Sequence, residues 1–286
     1  MAKTFIGIDL GGTKILGARV NQAEVFAREY LYLPKDNGDE NVVINLIIDV
    51  ISKLMDDTVQ GIGIGLPSIV DSEEGVVYDV QNIPSWKEVH LVKHLEKHFN
   101  VPIFMNNDAN CYALGEAYFG QGIECDFFVG LTIGTGLGAG IIYNQKLIDG
   151  SSGASGEFGI LPYQGKTLED YCSGQFFENE YKKSGYVMAQ LAEQGDEEAL
   201  KAFREFGFHL GNAIKIIMST VDPQRITIGG SVAQSRKYYE TQMNETIKSF
   251  PYGRSVENIQ IAFSDTNNMG MLGAASLCFK SGIINV

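Results

Sequence analysis

What this chain has little of narrows its function before any motif is considered. Cysteine occurs four times in 286 residues, at Cys111, Cys125, Cys172 and Cys278, with no C-x-x-C or disulfide-like spacing, so a small disulfide-stapled module is excluded. Basic residues are in deficit: 22 Lys and Arg against 35 Asp and Glu leave a net charge of −13 and a pI near 4.8. That balance disfavours sequence-independent attraction to nucleic acid or to an anionic membrane, and points to small molecules or other subunits as partners. No apolar run is long enough to cross a bilayer and no cationic leader precedes the first expected strand, which makes a reducing cytoplasm the simplest address. Histidine is rare. His90, His94 and His98 fall at i, i+4 and i+8 of an expected helix, but Lys93, Glu96 and Lys97 surround them, so they read as a solvated helix face rather than a metal site.

Glycine is plentiful, at 33 residues, and two glycine turns are copies of one another. Residues 4–22 read T-F-I-G-I-D-L-G-G-T-K-I-L-G-A-R-V-N-Q and residues 127–145 read F-F-V-G-L-T-I-G-T-G-L-G-A-G-I-I-Y-N-Q. An offset of 123 superposes Gly7 on Gly130, Gly11 on Gly134, Gly17 on Gly140, Asn21 on Asn144 and Gln22 on Gln145. This is the signature of a duplicated β-hairpin whose unhindered turns let backbone N–H groups approach a phosphate. The copies differ at one chemically decisive place, where Asp9 is matched by Thr132. A carboxylate beside phosphates repels them unless a hard cation intervenes, so Asp9 is read as a ligand of nucleotide-bound Mg²⁺.

Spacing excludes two rival nucleotide motifs. Gly7, Gly12, Thr13 and Lys14 nearly spell a P-loop, but the Thr-Lys order is reversed and a strand, not a helix, follows. Gly134, Gly136 and Ala139 match G-x-G-x-x-A, yet Gly140-Ile141-Ile142-Tyr143 also continues as a strand, whereas a dinucleotide fingerprint opens a helix.

The length and a hydrophobic fraction of 44% suffice for two α/β lobes with real cores. Periodicity predicts strands over residues 4–10, 14–20, 61–66, 101–105 and 225–228 and helices over 40–55, 87–99 and 108–119, with a last helix from about 270. Residues 150–174 read as a Gly- and Ser-rich loop stretch. At Ile103-Phe104-Met105-Asn106-Asn107-Asp108-Ala109-Asn110 an apolar strand delivers amides and a carboxylate to its C-terminal edge, where open α/β sheets bind ligands. Asp108 then has two readings, a helix N-cap or a base that aligns and deprotonates an acceptor hydroxyl. Glu157 and Glu169, each among glycines, are either solvated loop charges or acceptors for a polyol. The sequence does not choose between these.

Taken together, Asp9-Leu10-Gly11-Gly12-Thr13-Lys14, Gly65-Leu66-Pro67-Ser68-Ile69-Val70-Asp71, Asn107-Asp108-Ala109-Asn110, Thr132-Ile133-Gly134-Thr135-Gly136-Leu137-Gly138, Gly156-Glu157-Phe158-Gly159 and Leu168-Glu169 with Ser173-Gly174 resemble the ROK (repressor, open reading frame, kinase) family of sugar kinases. The resemblance implies an α/β, two-lobed actin-like ATPase (ribonuclease H-like) fold with duplicated mixed sheets flanked by helices. It also implies lobes at 1–115 and 116–269, and a closing helix at 270–286 that returns to the first lobe. It further implies ATP and Mg²⁺ as cofactors, Asp108 as catalytic base, and Asn82, Asn107, Asp108, Glu157 and Glu169 as sugar ligands. Asp9, Gly11, Gly12, Thr13, Lys14, Thr132, Gly134, Thr135 and Gly136 would face the phosphates, with Gly229 and Gly230 near the adenosine. A homodimer phosphorylating a hexose or N-acetylhexosamine, glucokinase-like and at the 6-hydroxyl, is expected.

One region departs from the family. Ile160 stands where relatives carry His, and Tyr163-Gln164-Gly165-Lys166-Thr167 replaces a cysteine-rich zinc loop. Isoleucine neither ligates a metal nor hydrogen-bonds a sugar, so no structural zinc is expected, and packing of Ile160, Leu161, Leu168 and Tyr171 should hold residues 156–174. The competing classes are a sugar-responsive repressor and a non-catalytic sugar-binding sensor. The family's repressors carry a helix-turn-helix ahead of the first phosphate loop, for which residues preceding about 4 leave no room. Retention of Asp9, Asp108, Glu157 and Glu169 speaks against the sensor.

Overall fold

The computed structural model describes residues 3–21, 24–34, 39–80, 82–266 and 268–279. In chain order it contains β1 (Thr4–Leu10), β2 (Lys14–Val20), β3 (Val25–Tyr32), α1 (Glu40–Leu54), β4 (Val59–Leu66), β5 (Val70–Asp71), β6 (Val76–Tyr78), β7 (Glu88–Val89), α2 (Leu91–Leu95), β8 (Ile103–Asn107) and α3 (Asp108–Phe119). There follow β9 (Phe127–Ile133), β10 (Leu137–Tyr143), β11 (Lys146–Leu147), β12 (Pro162–Tyr163), β13 (Lys166–Thr167), α4 (Leu168–Cys172), α5 (Gln175–Tyr181), α6 (Gly185–Glu193), α7 (Glu197–Val221), β14 (Arg225–Gly229), α8 (Arg236–Ile247), α9 (Gly253–Asn258), β15 (Gln260–Phe263) and α10 (Met269–Ser276).

The duplicated hairpin is present to the residue. Adding 123 to the ends of β1 and β2 gives the ends of β9 and β10; the proposed match of Gln22 to Gln145 lies outside the described residues. Each copy seeds a five-stranded mixed sheet of the same plan, β3-β2-β1-β4-β8 and β11-β10-β9-β14-β15. In the first, β1, β4 and β8 run parallel while β2 pairs antiparallel with both β1 and β3. In the second, β9, β14 and β15 run parallel.

Contacts divide the chain into two compact units, Met1–Glu124 with Gly140–Ser155 and Asp265–Val286, and Cys125–Ala139 with Gly156–Ser264. The sequence set its boundaries at 115/116 and 269/270. Residues from Gly140 go with the first unit because Gly140 lies against Ala113 of α3, where a Cβ would come within 2.6 Å of the Ala113 methyl.

In the first unit the central strands are apolar on both faces, as parallel strands covered on both sides must be. Helix α1 begins on Asp39, whose side chain accepts from Asn41 N, and buries Val43, Ile44, Ile47, Val50, Ile51 and Leu54. That 3.6-residue stripe shares one core with Ile6, Ile8, Leu10, Ile62 and Ile64, with α1 lying chiefly against β2 and β3. The other face is covered by α10, which packs on α3, β1 and β4 with Met271, Leu272 and Ala275 around Phe5. Gly7 and Gly63 make this approach possible, since a side chain at either would strike the α10 backbone. Residues of the expected closing helix beyond 279 lie outside the described residues. In the second unit the long helix α7 starts on an Asp196 cap, ends at left-handed Asp222 and packs against α8.

Two expectations fail. Residues 87–99 are not one helix: Glu88–Val89 pair as β7 with Tyr78 and Val77 of β6, and only α2 remains helical, so the His90, His94 and His98 face is not formed. Residues 150–174 are not merely loop, because the β12–β13 hairpin and α4 lie within them, the latter fixed by a reciprocal capping box between Thr167 and Asp170. Among the described residues, no helix is long and apolar enough to cross a membrane.

Candidate active site

In the first unit, β1 carries Asp9 to its penultimate position, paired with Leu16 of β2 and Gly65 of β4. Gly11 N–H donates to the Lys14 carbonyl at 2.9 Å and closes the turn, which leaves Gly12 and Thr13 exposed at its tip. A Cβ at Gly12 would meet the Asn82 amide nitrogen at 3.0 Å, so Asn82 stands against this turn. Burial raises the Asp9 carboxyl from 3.8 to about 6, opposed by the Lys14 ammonium. A carboxylate held in such desolvation fits a hard cation, whose charge offsets the cost of ionising it.

The edge of β8 supplies the next group. Strand passes to helix without a loop, Asn107 closing β8 and Asp108 opening α3. The N-cap is Asn107: its Oδ1 accepts from Ala109 N at 2.9 Å and Asn110 N at 3.3 Å, and its Nδ2 donates to the Ser68 carbonyl at 3.1 Å. Asp108 is therefore not the cap. It sits in the first turn, where the helix N-terminus favours an ionised carboxylate, and its Oδ1 also accepts from Ala109 N at 2.8 Å. Burial first, then the charges of Asp9, Asp108 and Asp149, push the Cys111 thiol well above its usual range. Three carboxylates thus act on one buried sulfur.

In the second unit, Gly134 N–H donates to the Gly136 carbonyl at 3.0 Å and closes the second glycine turn. Thr132 pairs with Gly229 across β9 and β14. Gly230 follows at φ +91°, a backbone conformation that favours glycine, against the backbone of Ile133. A Cβ at Gly134 would meet nothing nearer than Ser231 Oγ at 3.8 Å. Thr132, Gly134, Thr135, Gly136, Gly229 and Gly230 thus share one edge, and the backbone at Gly134 is unobstructed on the side a Cβ would occupy.

The placement of Glu169 was not legible from sequence. Its Oε2 accepts from Leu137 N at 2.9 Å and its Oε1 from Gln175 Nε2 at 3.0 Å, while Gly174 N–H donates to the Gly134 carbonyl at 2.8 Å. The α4 segment therefore buttresses the second turn. Glu157 lies close by, its carboxyl raised by burial and next by the Glu169 charge. Ile160 does not pack as expected: it is 68% exposed. Leu168 is buried as expected, and Tyr171 packs in a cluster the sequence did not show, its ring 4.8 Å from the His209 ring while Tyr163 OH lies 3.1 Å from His209 Nδ1. Among the described residues, no group of three or more His, Cys, Asp or Glu is placed to hold a metal ion.

A profile of the ROK family matches residues 5–281. The chain belongs to the ROK family. The xylose repressor of Bacillus subtilis is 27% identical over 95% of this chain and 76% of its own length. A glucokinase of Thermotoga maritima is 27% identical over 95% and 96%. The crystal structure of a ROK family glucokinase from Streptomyces griseus in complex with glucose and AMPPNP superposes with a TM-score of 0.81, at 25% identity over 96% of this chain and 98% of that one. The α/β architecture is accordingly the two-lobed actin-like ATPase fold, its duplicated mixed sheets flanked by helices.

Proposed function

We propose that this ROK chain is an ATP-dependent sugar kinase that phosphorylates a hexose or N-acetylhexosamine at the 6-hydroxyl. The observation that carries the reading is Asp108, a carboxylate at the C-terminal edge of a parallel strand, with the capping role taken by Asn107. An acceptor hydroxyl needs such a group to align it and to take its proton as transfer proceeds. Asn82, Asn107, Glu157 and Glu169 are assigned to the sugar hydroxyls. Bound ATP·Mg²⁺ supplies the transferable phosphoryl group and positive charge beside its oxygens. Asp9 would hold the cation, the two glycine turns with Thr13, Lys14, Thr132 and Thr135 the phosphates, and Gly229 with Gly230 the adenosine. The glucose- and AMPPNP-bound relative supports this assignment. The reading includes a cytoplasmic homodimer with no structural zinc.

A second reading is a sugar-responsive regulator without catalysis, favoured by a 27% identity to a xylose repressor that equals the identity to a glucokinase. ADP release measured across glucose, fructose, mannose, allose and their N-acetylated amino forms separates the two. Turnover of at least one sugar, lost in Asp108→Asn, is expected. Sugar binding by calorimetry with no ADP from any sugar would move the assignment to the regulator.

A further inference from the structure

Asp149, in the turn after β11, carries a carboxylate to which the kinase reading gives no task. Asn106 Nδ2 donates to its Oδ1 at 3.1 Å and to its Oδ2 at 3.0 Å, and Asn110 Nδ2 donates to its Oδ1 at 3.3 Å. In the other direction, Asn106 Oδ1 accepts from Asn107 N at 2.7 Å and from Asn110 Nδ2 at 2.8 Å. Asn106 and Asn110 are only 5% and 2% exposed. The turn is fixed in its own right: Ser155 N–H donates to the Asp149 carbonyl at 3.2 Å, and Gly153 lies against the Val70 carbonyl, 2.9 Å from where its Cβ would be.

The chemistry of the partners gives this network a direction. An amide can face either way, but an ionised carboxylate only accepts. Asp149 therefore dictates that the Asn106 nitrogen points toward the 149–155 segment and its oxygen toward Asn107 N–H and Asn110. Those bonds bracket Asp108, with residues 106 and 107 before it and Asn110 after. Removing Asp149 leaves two buried NH₂ groups short of an acceptor and frees the Asn106 amide to turn over. We propose that Asp149 is a positioning residue that fixes the turn carrying Asp108 through Asn106 and Asn110. The proposal rests on the kinase reading for its catalytic consequence.

The test compares wild type, Asp149→Ala and Asp149→Asn by hydrogen exchange over residues 106–112 and by steady-state kinetics with the best sugar. In Asp149→Ala the Ala109 and Asn110 amides should exchange faster and kcat should fall by about tenfold, within the range set by small misplacements of a catalytic group. KM for ATP should stay within about twofold, because the phosphate turns are untouched. Asp149→Asn should recover most of both losses, since its carbonyl oxygen still accepts from Asn106. Wild-type exchange and kcat in the Ala variant would overturn the proposal, as would a loss confined to KM for ATP or an Asn variant no better than Ala. If Asp149→Ala fails to fold, Asp149→Ser, which keeps one acceptor, carries the same comparison. If the wild type phosphorylates no sugar, the kinase reading fails on its own account, and the exchange measurement still decides whether Asp149 orders the Asp108 turn.

Discussion

Asp108 shows at single-residue scale how a structure can separate two roles that a sequence leaves entangled. Asn and Asp are both preferred caps, so Asn107-Asp108 gave no means of assigning one to the helix and the other to chemistry. The hydrogen bonds assign Asn107 to the helix. Asp108→Asn should then leave the melting temperature nearly unchanged and lower kcat by at least about 10²-fold, the lower range for loss of a general base; near wild-type kcat at saturating sugar would refute the role. Asp9 makes a pH-dependent prediction. Its carboxyl holds its proton up to about 6 in the fold, against an ordinary value of 3.8. Between those values the native state binds more protons than the unfolded state, so this group lowers stability as pH rises and has reached its full cost above about 6. Asp9→Asn should therefore gain melting temperature relative to wild type as pH goes from 4 to 7, then plateau, while losing activity. Melting curves of both proteins across that range test it, and a difference that is flat or of opposite slope counts against the buried, cation-dependent carboxylate. Asp149 was invisible at this scale because its partner Asn106 is 43 residues away and nothing around Asp149 ties it to the segment that carries Asn106.

Among the elements, repetition is what made the fold readable. One hairpin followed by a glycine turn is ambiguous; two at a constant offset predicted β1 and β2 with their ends and a second hairpin, β9 and β10, within residues 127–145. Strong 3.6-residue periodicity likewise placed α1, and the abrupt change from apolar strand to capped helix placed α3. Weak or short elements escaped. The edge strand β3 shows only partial burial along its length, and β5, β6, β7, β12 and β13 have two or three residues each, too few for any period to show. Such strands exist because their partners exist, which is a tertiary rather than a local cause. The same limit hid the work of Glu169: nothing in Leu168-Glu169 announces that its carboxylate will bind Leu137 N–H, 32 residues upstream. This contact predicts a specific kinetic signature. Glu169→Gln leaves only one acceptor oxygen for the two donors that Glu169 now holds, so the second glycine turn should loosen. KM for ATP should rise by about tenfold, the order of one charge-assisted hydrogen bond. A change confined to KM for the sugar would place Glu169 on the substrate alone.

For the molecule as a whole, the path of the chain decides what can be separated. The first unit is assembled from three segments, with α10 of the last one lying on β1 and β4 of the first. A fragment spanning residues 1–124 lacks Met271, Leu272, Ala275 and Phe279, which bury Phe5, Val20 and Tyr112. Each large apolar side chain left uncovered forgoes roughly 1.5 to 3 kcal/mol, against a total stability of only about 5 to 15 kcal/mol for a typical domain. The fragment should show no cooperative melt by circular dichroism; a sharp transition would mean that α10 is dispensable to the fold. Linkage then separates the two classes of function at the same scale. A ligand that binds only the native state stabilises it by about 2.7 kcal/mol at a hundred times its dissociation constant, or roughly 5 to 10 °C for a chain of this size. A kinase should be stabilised by its sugar and also by Mg²⁺ with AMPPNP, and mutating Asp9 should remove the second shift while sparing the first. A regulator that has kept only its sugar site should respond to sugar alone. Melting curves with sugar, with nucleotide and with both, on wild type and Asp9→Asn, therefore test the two glycine turns without requiring turnover; a nucleotide shift that survives Asp9→Asn undiminished would remove the cation from the site assigned to it.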